Sequence, residues 1–256
     1  MKKTTYILCV CLLCIMAFFE IRHNSEDYVA TARFAAQVEK ENRQAAEKKK
    51  TAYLTFDDGP SDNTRKILEV MKEKKAVATF FLIGKEITPE REDIVKQTVK
   101  QGNAVGVHTY CHEKNKLYCN AESFFDDFNM ASDSIKKVTG KKPVLHRFPW
   151  GSNNGYVCSY VDSLHEKLQE EGIKSYDWNV SGEDSIGGTV AQSTIFQNVK
   201  KDLTRYDEPI ILLHDSATMD NTAAVLGQII DYIRSQGYEF ATLEKREEYM
   251  FPASWR

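Results

Sequence analysis

From residue 52 onward the chain alternates between two hydrophobic periods. Short apolar runs rich in β-branched and aromatic residues predict strands at 52–56, 76–83, 104–107, 144–148, 173–178, 210–213 and 238–242. Between them, apolar residues recur three and four positions apart, as Ile67, Leu68 and Met71 do, and predict helices. These fall at 62–74, at 89–101 starting on Pro89, at 121–138 closed by Gly140, at 157–171 closed by Gly172, at 193–206, and at 222–236 before Gly237. Strand followed by helix, repeated along the chain, demands a mostly parallel sheet, either open and doubly wound or closed as a barrel.

The first fifty residues follow neither period. Lys2 and Lys3 precede an apolar run over 6–19, which Glu20 interrupts, Ile21 extends and Arg22 ends. At 1.5 Å per residue it reaches about 24 Å, short of the ~30 Å hydrocarbon core, so it reads as a signal-peptide core or a short anchor. The positive flank places the N-terminus in the cytoplasm. Ala17 offers a weak cleavage site, but Phe18 and Phe19 prolong the apolar run, which favours an uncleaved anchor over a secreted form. Residues 24–50 are polar, rich in Ala and charge and free of Gly and Pro. They read as a helical or semi-flexible stalk, with a helix packed on the domain as the alternative. The expected division is therefore 1–23 signal-anchor or signal peptide, 24–50 stalk and 51–256 catalytic domain, the last outside the cytoplasm at the cell surface.

Composition narrows the partners. Of 256 residues, 42% are hydrophobic and 28% charged, which excludes wholesale disorder. Lys and Arg total 34 against 37 acidic residues, a net charge of −3, so nucleic acid is not an expected partner, and no obligate protein partner is evident. Cys111, Cys119 and Cys158 are an odd set with no CxxC pair, so a thiolate zinc site is not signalled, while a Cys111–Cys119 disulfide stays open. Neither GxGxxG, GxxxxGK[ST] nor GxSxG occurs where a nucleotide cradle or a serine nucleophile would need it.

The polar residues that remain share one position. Asp57-Asp58, His108, Arg147, Asp177-Trp178 and His214 each stand at the C-terminal end of a predicted strand, where parallel β/α folds bind ligands. His108 and His112 are spaced i, i+4 and share a face if the segment after the third strand turns helical. With one carboxylate from Asp57 or Asp58 they make a two-His, one-Asp metal set with open positions. Taken singly, Asp-Asp-Gly-Pro is a plain turn, a lone Arg a surface charge, and a His leaving a buried strand a satisfied core residue. For His214, Asp215 is a neighbour in sequence and Asp177 a candidate neighbour in space. His23, His165 and His146 keep the ordinary reading, His146 facing away from Arg147.

In order and spacing these residues resemble the polysaccharide deacetylases, the NodB-homology or carbohydrate esterase family 4 domain. Thr55-Phe56-Asp57-Asp58-Gly59-Pro60 resembles the first motif, His108-Thr109-Tyr110-Cys111-His112 the second, Arg147-Phe148-Pro149-Trp150 the third, Asp177-Trp178 the fourth and Leu212-Leu213-His214 the fifth. The resemblance implies a distorted, incomplete (β/α)7-8 barrel. It implies that Asp58, His108 and His112 bind a divalent ion, zinc by default with cobalt, nickel or iron acceptable. Asp57 would be general base, oriented by Arg147, and His214 general acid, held by Asp177. Trp178 and Leu212 would form the acetyl pocket, and the Trp150 N–H would help hold the oxyanion. Phe148 and Trp150 depart from the R-P-P-Y of many relatives and alter the wall of the site. The implied activity is removal of N-acetyl groups from N-acetylglucosamine units of a cell-wall polysaccharide, peptidoglycan first. O-acetyl esterase action on xylan, chitooligosaccharide deacetylation and a silent carbohydrate-binding module are the alternatives. A non-haem iron oxygenase also uses two His and one carboxylate, but the β/α alternation opposes it.

Overall fold

A computed structural model describes residues 33–39 and 50–255; the expected signal or anchor segment lies outside them. The chain divides into two units, Met1–Lys49 and Lys50–Arg256. In the first, residues 33–39 form a short, exposed helix. No helix among the described residues is long and apolar enough to cross a membrane.

The second unit runs β1 (Lys50–Gly59), α1 (Asp62–Glu73), β2 (Ala78–Ile83), α2 (Glu92–Lys100), β3 (Ala104–Thr109), α3 (Lys114–Leu117), α4 (Ala121–Thr139), β4 (Leu145–His146), α5 (Val161–Glu170), β5 (Lys174–Ser175), β6 (Val180–Ser181), α6 (Gln192–Leu203), β7 (Ile210–His214), α7 (Asp220–Ser235) and β8 (Tyr238–Phe240). The helices begin and end for local reasons. Ser61 caps α1 with a reciprocal capping box through Thr64. Asn120 caps α4, which Gly140 ends in the left-handed conformation.

The sheet order is β5-β4-β3-β2-β1-β7-β6, with β8 pairing the first residues of β1. Every strand pair is parallel. Chain connectivity forces this sheet to curl. β5 and β6 are its two edges, yet Ser175 and Val180 are five residues apart, a reach of at most about 18 Å. Seven flat strands would separate those edges by about 29 Å. The edges therefore face each other across an incomplete half-barrel. The gap is crossed by residues 176–179 and lined by a bridge between Tyr176 and Tyr249.

Side chains alternate across the curled sheet. Leu54, Phe56, Phe80, Leu82, Ile211 and Leu213 pack outward in the main core. Tyr53, Phe81, Leu145 and Ile210 pack inward with Tyr176 and Leu243. Continuing the inward series two residues at a time reaches Thr55 and Asp57 on β1, Leu212 and His214 on β7, His108 on β3 and Arg147 just after β4. His146 takes the opposite face, edge-on to Phe124, Phe128 and Phe148. Burial holds its ring neutral.

Three expectations change. The strands expected at 144–148 and 173–178 shrink to β4 and β5, because the chain leaves the sheet to turn at 149–157 and to cross the gap at 176–179. The helix expected from residue 89 starts at Glu92, after a turn closed on the Thr88 carbonyl. The helix expected from 157 starts at Val161, since residues 154–160 form successive turns. α3 and β6 were not expected, each being too short to show a period.

Close packing of β3 depends on the absence of a side chain at Gly106. A Cβ there would lie 2.8 Å from the Leu145 carbonyl oxygen and 2.8 Å from the Phe81 ring. Gly106→Ala is expected to destabilise the domain by about 1–3 kcal/mol, read from the urea midpoint. An unchanged midpoint would show that β4 can move away at no cost.

Candidate active site

The half-barrel register sets the site before any side chain is considered. Asp57 is the direct partner of His214 across β1 and β7. Asp58 follows at positive φ (77°), which turns its carboxylate away from that of Asp57. Among the described residues, five non-glycine positions have positive φ: Asp58, Lys75, His112, Trp150 and Glu183. Three of them are site residues and Glu183 precedes a fourth, so backbone strain concentrates around the site.

Asp58 Oδ1 lies 3.5 Å from His108 Nε2 and 3.4 Å from His112 Nε2. One ligand atom from each of the three residues falls within 4.8 Å of the others. His108 Nδ1 donates to the Arg147 carbonyl at 3.0 Å, which leaves the Nε2 lone pair pointing at the cluster. Burial depresses the His108 pKa to about 3, so the ring is neutral. Asp58 Oδ1 is buried and makes no hydrogen bond. The His108 lone pair and the unpartnered Asp58 oxygen thus converge with the His112 ring on one point, an arrangement that a cation would stabilise. Ligands about 2 Å from one centre stand 3–4 Å apart, so the donor set fits a divalent ion such as zinc.

His112 does not reach this position by the expected helical turn. Its φ is 53°, and the backbone of 109–112 bonds to a side chain instead of forming a helix. The Asp127 carboxylate on α4 accepts the Thr109 hydroxyl at 2.6 Å, the Tyr110 N–H at 2.6 Å and the Cys111 N–H at 3.0 Å. The Trp150 ring then packs against the His112 ring, 4.6 Å between centroids. Cys111, Cys119 and Cys158 are all free thiols.

Asp57 is buried beside Arg147, whose Nη1 donates to Asp57 Oδ1 at 2.9 Å and to the Thr55 hydroxyl at 2.7 Å. Arg147 also donates to the carbonyls of Tyr176 and Asp177. Its guanidinium stacks on Phe81 and faces Trp178. Burial pushes the Asp57 carboxyl up, with the Arg147 and His214 charges opposing that shift.

The expected pairing of Asp177 with His214 is not formed. Asp177 Oδ1 and Oδ2 accept the N–H and hydroxyl of Ser152, and Oδ2 also accepts the Phe251 N–H. Asp177 supports the wall, because Tyr176 and Asp177 have left β5 to cross the gap. The partner of His214 is Asp184: Nδ1 donates to Asp184 Oδ1 at 2.8 Å, and the His214 N–H donates to Oδ2. Thr222 holds that carboxylate from α7. Burial disfavours the charged ring, but the Asp184 hydrogen bond and charge outweigh it and raise the His214 pKa to about 9. His214 is therefore protonated at neutral pH. With its folded pKa above its unfolded value, this pairing stabilises the fold fully below about pH 6.5 and ceases to do so as pH rises through about 9.

Sequence reasoning missed Asp184, Asp127 and Thr55 as site residues. Asp184 follows a strand end, like the residues that were found, but β6 has only two residues. Asp127 sits among polar positions of a long helix, where a carboxylate reads as solvent-facing. Trp178 and Leu212 lie toward the inner face, Trp178 packed on the inner cluster and Leu212 in register with Thr55.

The polysaccharide deacetylase family model matches residues 44–167. A peptidoglycan-N-acetylglucosamine deacetylase of Bacillus cereus is 35% identical over 211 residues, covering 81% of this chain and 73% of the relative. A bifunctional xylanase/deacetylase of Pseudobutyrivibrio xylanivorans is 31% identical, over 75% of this chain and 29% of that protein. The crystal structure of the catalytic domain of peptidoglycan N-acetylglucosamine deacetylase from Eubacterium rectale superposes with a TM-score of 0.72 at 29% identity, covering 80% of this chain and 92% of that one.

Two outcomes follow from these contacts. Asp127→Ala should weaken binding of added zinc about 10- to 100-fold with the fold retained by circular dichroism, and unchanged affinity would remove Asp127 from any role in placing His112. Asp184→Asn should move the His214 titration midpoint, followed by NMR, down from about 9 toward the ordinary histidine range. A midpoint that stays put would refute the Asp184 pairing.

Proposed function

The chain belongs to the polysaccharide deacetylase family, whose members are hydrolases of non-peptide carbon–nitrogen bonds, and from that premise we propose that it removes N-acetyl groups from N-acetylglucosamine units of peptidoglycan in a metal-dependent reaction. The observation that carries the reading is the Asp58, His108 and His112 cluster with its unpartnered Oδ1, set beside two groups of opposite proton-transfer character. Asp58, His108 and His112 would hold the divalent ion, zinc first among the candidates. Bound there, the ion would supply Lewis acidity to the acetyl carbonyl and to a water molecule.

The remaining work falls to the protein's own side chains. Asp57, kept basic by burial and oriented by Arg147, takes the proton from the attacking water. The backbone N–H of Trp150 helps stabilise the charge that develops on the carbonyl oxygen. His214, protonated and held by Asp184, gives its proton to the departing amine, without which an amide does not cleave. Leu212 and Trp178 exclude water around the acetyl methyl. Asp177 takes part only by fixing the wall against which Arg147 is seated. The segment before residue 24 would anchor the domain, outside the cytoplasm, to the membrane that faces its substrate.

The similarity to a xylanase/deacetylase favours one second reading, hydrolysis of O-acetyl esters on xylan-like polymers with the same residues. The zinc-loaded protein is expected to release acetate from purified peptidoglycan at least tenfold faster than from acetylated xylan. Asp57→Asn is expected to lower that rate by 10² or more with zinc still bound. Faster release from xylan would select the ester reading. Full activity of the Asp57→Asn protein would remove Asp57 as the base.

A further inference from the structure

In a parallel sheet the segments that lead into the strands line the end opposite the catalytic one. β4, β3, β2 and β1 are neighbours in that order. The turns entering the first three follow the C-termini of α4, α2 and α1. There the segments 72–77, 96–103 and 133–142 carry nine lysines against two acidic residues, Glu73 and Asp133. Complementing the helix dipoles accounts for a basic residue in each last turn. It does not account for the surplus, because at the ends of α5, α6 and α7, over 167–174, 200–208 and 231–239, acidic residues equal or outnumber the cations. Nor does it account for Lys141 and Lys142, which lie beyond the end of α4 at Gly140. Lys74 is paired with Asp231, and Lys96 and Lys137 with Glu92. Lys72, Lys75, Lys100, Lys136, Lys141 and Lys142 are exposed and form no ion pair among the described residues. Water hydrates each ammonium, but their fields add across the face. Val99 and Val144 are exposed among them.

We propose that this end of the domain rests on an anionic lipid surface, with phosphate headgroups against the lysines and Val99 and Val144 at the headgroup boundary. Two observations select a bilayer over a dissolved polyanion. Exposed apolar side chains among the cations gain from a surface with an apolar layer beneath its charge, which a dissolved polymer lacks. In addition, β1 enters the sheet at Lys50 on this same end, so the preceding chain, with its apolar run over 6–19, joins the domain here. Each lysine near such a surface strengthens binding about fivefold. The consequence is orientation. The strand ends that carry Asp58, His108 and His214 are turned away from the membrane.

The test places the full chain in nanodiscs of phosphatidylcholine alone or with about one-third phosphatidylglycerol, and reads backbone hydrogen exchange at 99–103 and 139–144. Exchange there should be about threefold slower or more on the anionic discs, and the difference should vanish in about 0.5 M salt. Exchange at 204–208 should not change. The triple variant Lys100→Gln, Lys141→Gln, Lys142→Gln should lose the difference with its circular dichroism unchanged. Equal exchange on the two discs, or a difference that survives in the triple variant, overturns the proposal. Slowing by dissolved polyphosphate and not by discs overturns it in favour of a polymer partner. If the chain does not enter neutral discs, co-sedimentation with vesicles of the same two compositions decides. Retention on the anionic vesicles that is about 100-fold weaker in the triple variant supports the proposal. No retention of the wild type, or equal retention of the variant, overturns it. Acetate release enters none of these readouts, so the deacetylase reading stands or falls separately.

Discussion

A guanidinium removed from water must be surrounded by acceptors, and the architecture follows from how Arg147 meets that requirement. Its side chain is fully buried. It reaches Thr55 and Asp57 on β1 and the carbonyls of Tyr176 and Asp177 in the segment that crosses the gap. The planar fork of an arginine spans these elements, whereas the single ammonium of a lysine does not. One residue therefore fastens the centre of the sheet to the stretch that closes its edges. The pairing with Asp57 also neutralises a charge that would otherwise be very costly to bury. The position of the proposed base and the closure of the half-barrel are two aspects of one contact.

A second row of carboxylates repeats this principle on a smaller scale. Asp127 holds the turn that carries His112, Asp184 holds His214, and Asp177 holds the loop at Ser152. Each accepts at least one backbone N–H and is itself buried. The result is a first row of groups whose rotamers are set from behind. A neutral His108 and a charged His214 coexist in the same half-barrel because burial dominates at the first ring, whereas the Asp184 hydrogen bond and charge outweigh it at the second.

What could be read from the sequence divides along the same line. Asp57, Asp58, His108, Arg147 and His214 stood out because each ends an apolar run, and parallel strands bring their ends together. The alternation of strands and helices announced the parallel sheet. The second row carried no such mark. Asp127 lies on a helix, Asp184 follows a strand of two residues, and the contacts of both are set by three-dimensional proximity alone. The expected i, i+4 helical turn at His108 and His112 failed for the same reason. Asp127 captures the amides of Tyr110 and Cys111, so the backbone has no need of helical partners. The Asp177 assignment failed because the chain leaves β5 before Asp177, which then faces Ser152 and Phe251.

The crossing at 176–179 also imposes an order in time. Asp177 finds one of its donors, the Phe251 amide, 74 residues downstream, and its own N–H bonds the carbonyl of Tyr249. However the chain is delivered, β1, the arginine and the crossing can assemble before that strip is in place. Until it docks, the barrel has a seam that nothing has stitched, and the Asp57 carboxylate stands next to an unfinished wall. The last strip of the chain therefore acts as the stitch of the seam, by the sequence position of a few amides.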